Sequence, residues 1–117
     1  MTNSIADLGE SNCFLVTGSN TTENHPVIST VIKRAITQKG AKLILVDPRN
    51  IDLAKFATVW LRQKPGTDIA WINGMLNIII SEGLLNEQFI AERTENFEAV
   101  KEAVKKYTPD RKSTRLN

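Results

Sequence analysis

Cysteine and histidine are almost absent from this chain: Cys13 and His25 are the only ones among 117 residues. One cysteine cannot close an internal disulfide, which fits a reducing compartment such as the cytoplasm. With so few ligands of this kind, an internal structural zinc or iron–sulfur centre is not expected. Charge of one sign is also scarce. The formal net charge is +2, too small to imply nucleic acid or an anionic membrane as partner. No apolar run approaches the roughly 20 residues that a membrane-spanning helix needs. The first ten residues lack the apolar core of a signal peptide. The six glycines include no Gly-x-Gly-x-x-Gly, which argues against an ordinary NAD enzyme. What remains is a globular balance, 41% hydrophobic and 24% charged, sufficient for one modest domain.

The most informative stretch runs from Cys13 to Pro26. An apolar, β-prone run ends at Gly18. Small polar residues follow, Ser19-Asn20-Thr21-Thr22-Glu23-Asn24, and then Pro26 opens an amphipathic segment. The pattern reads as strand, loop and helix start. In an open parallel sheet that turn lies at the carboxyl end of the strand, where ligands bind. The unpaired N–H groups of a helix start attract an anion, most often a phosphate. A plain strand-to-helix turn would look similar.

Apolar spacing predicts a helix over 26–38, with Val27, Ile28, Val31, Ile32, Ala35 and Ile36 on one stripe. Lys39 and Gly40 end it. Residues 42–46 are a second apolar strand, followed at once by Asp47-Pro48-Arg49. An acidic side chain at that strand tip can accept hydrogen bonds from a ribose or base, although Asp-Pro also opens ordinary turns. A short helix is expected over 50–55, capped by Asn50, and a third strand over 57–61. The loop Pro65-Gly66-Thr67-Asp68 leads into a helix over 68–82. Two short helices follow, over 86–93 and 95–106. The expectation is an α/β fold, Rossmann-like and three-layered, with a short parallel sheet of about three strands and a helical C-terminal portion. The three strand-end loops, at Gly18, Asp47 and Gly66, are expected to converge on one crevice. The expected core is Phe14, Leu15, Val16, Ile28, Val31, Ile32, Leu43, Ile44, Leu45, Val59, Ile72, Leu76 and Ile79, with Cys13 as a small buried side chain. Neither Cys13 nor His25 is expected to be catalytic. Residues 111–117 are basic and patternless and read as foreign to the fold.

Taken together, the segments Gly18 to Pro26, Gly40-Ala41-Lys42 with Asp47-Pro48-Arg49, and Pro65 to Asp68 resemble the molybdopterin-dependent oxidoreductases. The formate dehydrogenase alpha (catalytic) subunits are the most similar members. Leu85-Asn86, Phe89-Ile90, Arg93-Thr94 and Tyr107-Thr108-Pro109 extend the likeness over residues 1–110. No single motif is specific; their order and spacing are. The resemblance implies that residues 1–110 are part of a domain that binds molybdopterin guanine dinucleotide. It puts Gly18, Ser19, Asn20 and Glu23 at the phosphate and ribose, Asp47 and Arg49 near the guanosine, and Gly66, Thr67 and Asp68 at the base. A carboxylate suits a guanine, accepting from N1–H and the exocyclic amine. Either Asp47 or Asp68 could do so.

The chain departs from the family in lacking the cysteines of its iron–sulfur cluster and the cysteine or selenocysteine that ligates its metal. No catalytic or metal-ligating residue is therefore expected here. The chain reads as a piece of a larger subunit, inactive alone, whose partners are the rest of that subunit and its electron-transfer subunits. The competing reading is a small stand-alone α/β protein that binds a nucleotide or a partner without catalysis.

Overall fold

A computed structural model describes residues 4–108. The chain divides into two compact units, Met1–Arg62 and Gln63–Asn117. The expected foreign tail, 111–117, lies outside the described residues.

The first unit carries a sheet of three parallel strands: β1 (Cys13–Thr17), β2 (Lys42–Val46) and β3 (Val59–Leu61). Their spatial order is β1-β2-β3, so β2 is central. Between β1 and β2 run a single helical turn, α1 (Thr21–Asn24), and the crossover helix α2 (Pro26–Lys39). Pro26 occupies the first helical position of α2, where its missing N–H costs nothing. Gly40 ends the helix in the left-handed region, φ 71°, and its N–H bonds back to Ile36 O. A 3-10 helix (Asp52–Phe56) joins β2 to β3, and another (Ala6–Glu10) precedes β1.

One sheet face is a continuous core. Phe14, Leu43 and Leu45 pack with Ile32 and Ala35 of α2 and with Ile51 and Leu53 of the β2–β3 connection. Leu43, Leu45 and Leu53 are fully buried, each stabilising the fold by roughly 1.5–3 kcal/mol. The opposite face differs from expectation. Leu15 is 49% and Val59 45% exposed, and Cys13 is exposed too. β1 alternates instead of being buried on both sides. Register explains this: Leu15 pairs with Ile44, and Ile44 with Val59, so the three share the face away from α2. β3 begins two residues later than expected, and the preceding helix is a 3-10 turn that starts at Asp52 without the Asn50 cap.

The second unit is helical: α3 (Asp68–Ser81), α4 (Glu87–Arg93) and α5 (Phe97–Val104). The buried positions of α3 are Trp71 and Gly74, whereas Ile72 is 42% exposed, which corrects the expected inward stripe. Asn77 Nδ2 donates to Val104 O at 3.0 Å and ties α3 to α5. Asn86 caps α4 by accepting from Phe89 N–H at 2.9 Å.

Candidate functional site

Six of the nine sequence-nominated residues lie in the first unit, on two loops leaving neighbouring strands at their carboxyl ends. The first loop follows β1. Gly18 has φ 62°, in the left-handed region, and its N–H still reaches Val46 O on β2 at 3.4 Å. The chain therefore turns sharply off the sheet edge with bare backbone exposed. Ser19 Oγ and Thr21 Oγ1 lie 3.2 Å apart, and Thr22 Oγ1 and Ser29 Oγ 3.0 Å apart. Thr21 and Ser29 are buried. These hydroxyl pairs fix the corner between α1 and α2. Asn20 sits at the start of α1, but its side chain makes no capping bond. Its Oδ1 is buried and has no hydrogen-bond partner. A buried acceptor without a donor costs about 1–3 kcal/mol, so this atom is suited to a donor from outside the chain.

The second loop follows β2 and carries Asp47, whose carboxylate is turned onto the chain's own Arg49. The side chain is 1% exposed and is gripped by Arg49. Arg49 Nε donates to Oδ1 at 3.0 Å and Nη2 to Oδ2 at 2.8 Å, while Arg49 N–H donates to Oδ1 at 2.8 Å. Pro48 lies between Asp47 and Arg49 in a bend of the chain. The Asp47 main chain is held as well: its N–H donates to Leu61 O at 3.2 Å, and its carbonyl accepts from Trp60 Nε1 at 2.8 Å. The hydrogen bonds from Arg49 hold the Asp47 carboxyl below the usual carboxylate range, outweighing the opposite push of burial. Asp47 in turn raises the Arg49 guanidinium above its ordinary value, with a smaller contribution from the charge of Glu23. The Arg49 side chain remains 60% exposed. The solvent-facing group at this strand tip is thus the guanidinium.

Gly66, Thr67 and Asp68 belong to the second unit. Gly66 has φ 79°. Thr67 Oγ1 donates back to Lys64 O at 2.6 Å rather than capping α3. Asp68 opens α3, and its Oδ1 accepts from Trp71 Nε1 at 3.3 Å. Trp60 was missed by the sequence reading. Its ring reads as strand packing, and only the fold brings its N–H to Asp47. Among the described residues no cluster of three or more His, Cys, Asp and Glu side chains is placed to hold a metal ion. No helix among them is long and apolar enough to cross a membrane.

A parallel sheet with its crossover helix on one face, a glycine-opened loop and a fixed basic side chain at adjacent strand ends is an α/β architecture. The comparisons are more specific. The family model described as "Molybdopterin oxidoreductase" matches residues 1–108, and the chain belongs to that family. It is 51% identical over 110 residues to the F420-dependent formate dehydrogenase subunit alpha of Methanocaldococcus jannaschii, covering 94% of this chain and 16% of that protein. Formate dehydrogenase H of Escherichia coli is 36% identical over 110 residues, 94% of this chain and 15% of that one. Among solved structures, acetylene hydratase from Pelobacter acetylenicus superposes with a TM-score of 0.83 at 37% identity, covering 97% of this chain and 15% of its own. The chain therefore spans about one-sixth of the length of these relatives. Family membership implies a molybdopterin cofactor carrying molybdenum or tungsten.

Proposed function

We propose that this chain is the part of a formate-dehydrogenase-type molybdenum or tungsten subunit that holds the guanosine and pyrophosphate end of molybdopterin guanine dinucleotide. The observation that carries the reading is the buried, donor-seeking Asn20 Oδ1 beside the open backbone of Gly18. A ribose hydroxyl is a donor of the right kind for Asn20. The Ser19 backbone offers its N–H to a phosphate oxygen, and Glu23 accepts from ribose. With the Asp47 carboxylate committed to Arg49, Asp68 is the better candidate to accept from guanine N1–H and the exocyclic amine. When bound, the cofactor supplies the redox centre; this segment contributes binding and orientation of one tail. On this reading residues 1–110 form part of one dinucleotide-binding domain, and the partners are the rest of the subunit and its electron-transfer subunits. Low cysteine content fits a cytoplasmic enzyme.

The test is made in the full-length subunit with Asn20→Ala, Asp47→Ala and Asp68→Ala. Molybdenum or tungsten content and the GMP released by acid are expected to fall in parallel. Full metal and GMP content in all three variants would contradict the reading.

A further inference from the structure

Arg49 is held in a way that a casual surface arginine is not. Its Nε/Nη2 edge is filled by the Asp47 carboxylate at 3.0 and 2.8 Å. Asp47 is fully buried, and its main chain is pinned on both sides, by Leu61 O and by Trp60 Nε1. A guanidinium has five N–H donors in a rigid plane. Two side-chain donors are spent on Asp47; of the remaining three, one on Nη1 and the far one on Nη2 form a second, parallel pair. With the side chain 60% exposed, this end-on edge points outward from a fixed base. The Arg49 charge is paired with the Asp47 carboxylate, 2.8 Å from Nη2. A positive group so compensated has little net attraction left for a diphosphate but keeps its directional donors. The matching partner is a neutral pair of adjacent acceptors.

We propose that Asp47 and Trp60 are positioning residues that lock Arg49 as an end-on fork for the O6/N7 edge of guanine, making Arg49 the residue that tells guanine from adenine. This rests on the reading of the chain as a guanosine-binding segment. Adenine offers N7 but carries a donor amine at position 6, so one arm of the fork loses its acceptor and meets another donor. The role thereby assigned to Asp47 is indirect: it aims the arginine instead of touching the base.

The experiment is calorimetric titration of the full chain with GDP, inosine diphosphate, ADP and inorganic pyrophosphate. GDP binding to the unaltered chain tests the underlying reading, and its absence would remove that reading and this proposal together. Given binding, Arg49→Ala is expected to weaken GDP and inosine diphosphate by the same factor, about 10- to 100-fold for a lost bidentate base contact, with ADP nearly unchanged. Arg49→Lys should not rescue, because an ammonium cannot present a planar fork. Trp60→Phe keeps the ring and removes only the N–H. It is expected to cut the GDP-to-ADP preference about fivefold, the worth of one hydrogen bond, and Asp47→Asn to cut it further. A merely structural role for Trp60 or Asp47 would lower GDP and ADP alike and leave their ratio intact. That result overturns the proposal, as does an equal loss of GDP, ADP and pyrophosphate in Arg49→Ala, which would place the arginine on the phosphates.

Discussion

Replacing Gly18 separates conformational cost from packing cost at the loop on which the account depends. The residue lies at φ 62°, and a Cβ built on its backbone meets no atom within 4 Å. Gly18→Ala therefore creates no clash, and its whole cost is that of forcing an L side chain into the left-handed region, about 1–2 kcal/mol. Gly18→Asn should cost less, although the side chain is larger, because asparagine tolerates that region. In urea unfolding the Ala variant is expected to lose roughly 1 M in midpoint with an unchanged slope, and the Asn variant less than half of that. A packing-dominated site would give the reverse order, Asn worse than Ala. That order, or no loss in the Ala variant, refutes the reasoning. GDP affinity adds a second reading: if phosphate oxygens approach this backbone, both variants weaken binding while remaining folded.

Further outcomes follow from the same structure. Leu45 is fully buried in the central strand, so Leu45→Ala should destabilise by about 2–5 kcal/mol in the same urea assay. Asn86→Ala removes the only side-chain cap bond seen at the start of α4 and should cost about 0.5–2 kcal/mol; Thr67→Ala, where the hydroxyl caps nothing, should show no loss of this origin. The Asp47 carboxyl is lowered in the folded chain from its ordinary 3.8, chiefly by Arg49. Its contribution is thus complete above that ordinary value and is lost as pH falls through the lowered folded value. Stability measured from neutral pH into strong acid should show a gap between the unaltered chain and Asp47→Asn that narrows at the acid end. A gap that stays constant would mean that the ion pair contributes nothing.

Much of the fold was legible because short-range signals agreed with one another. Pro26 and Gly40 bracket α2, and the apolar runs before Gly18 and Asp47 are the first two strands. The errors have physical causes. A five-residue apolar strand looks the same whether one face or both are covered, so Leu15 and Val59 were expected inside and are half exposed. Apolar side chains surround much of α3, so periodicity alone did not select the face of Trp71 and Gly74 over that of Ile72. At the candidate site, sequence placed the nominated Gly18 and Asp47 just past the carboxyl ends of β1 and β2, where the fold has them. It did not reveal that Asp47 would spend its carboxylate on Arg49, nor that Trp60, thirteen residues on, would donate to the Asp47 carbonyl. A lone Asp-Pro-Arg is equally a turn or a clamp, and the difference lies in burial, which only the packed fold supplies.

The most direct test of the central claim is a nuclear magnetic resonance titration of the nitrogen-15-labelled chain with GDP. The account predicts saturable shifts concentrated at the amides of Gly18, Ser19 and Asn20 and at the Arg49 Nε–H signal. No shift at millimolar GDP, or shifts confined to α4 and α5, would contradict it.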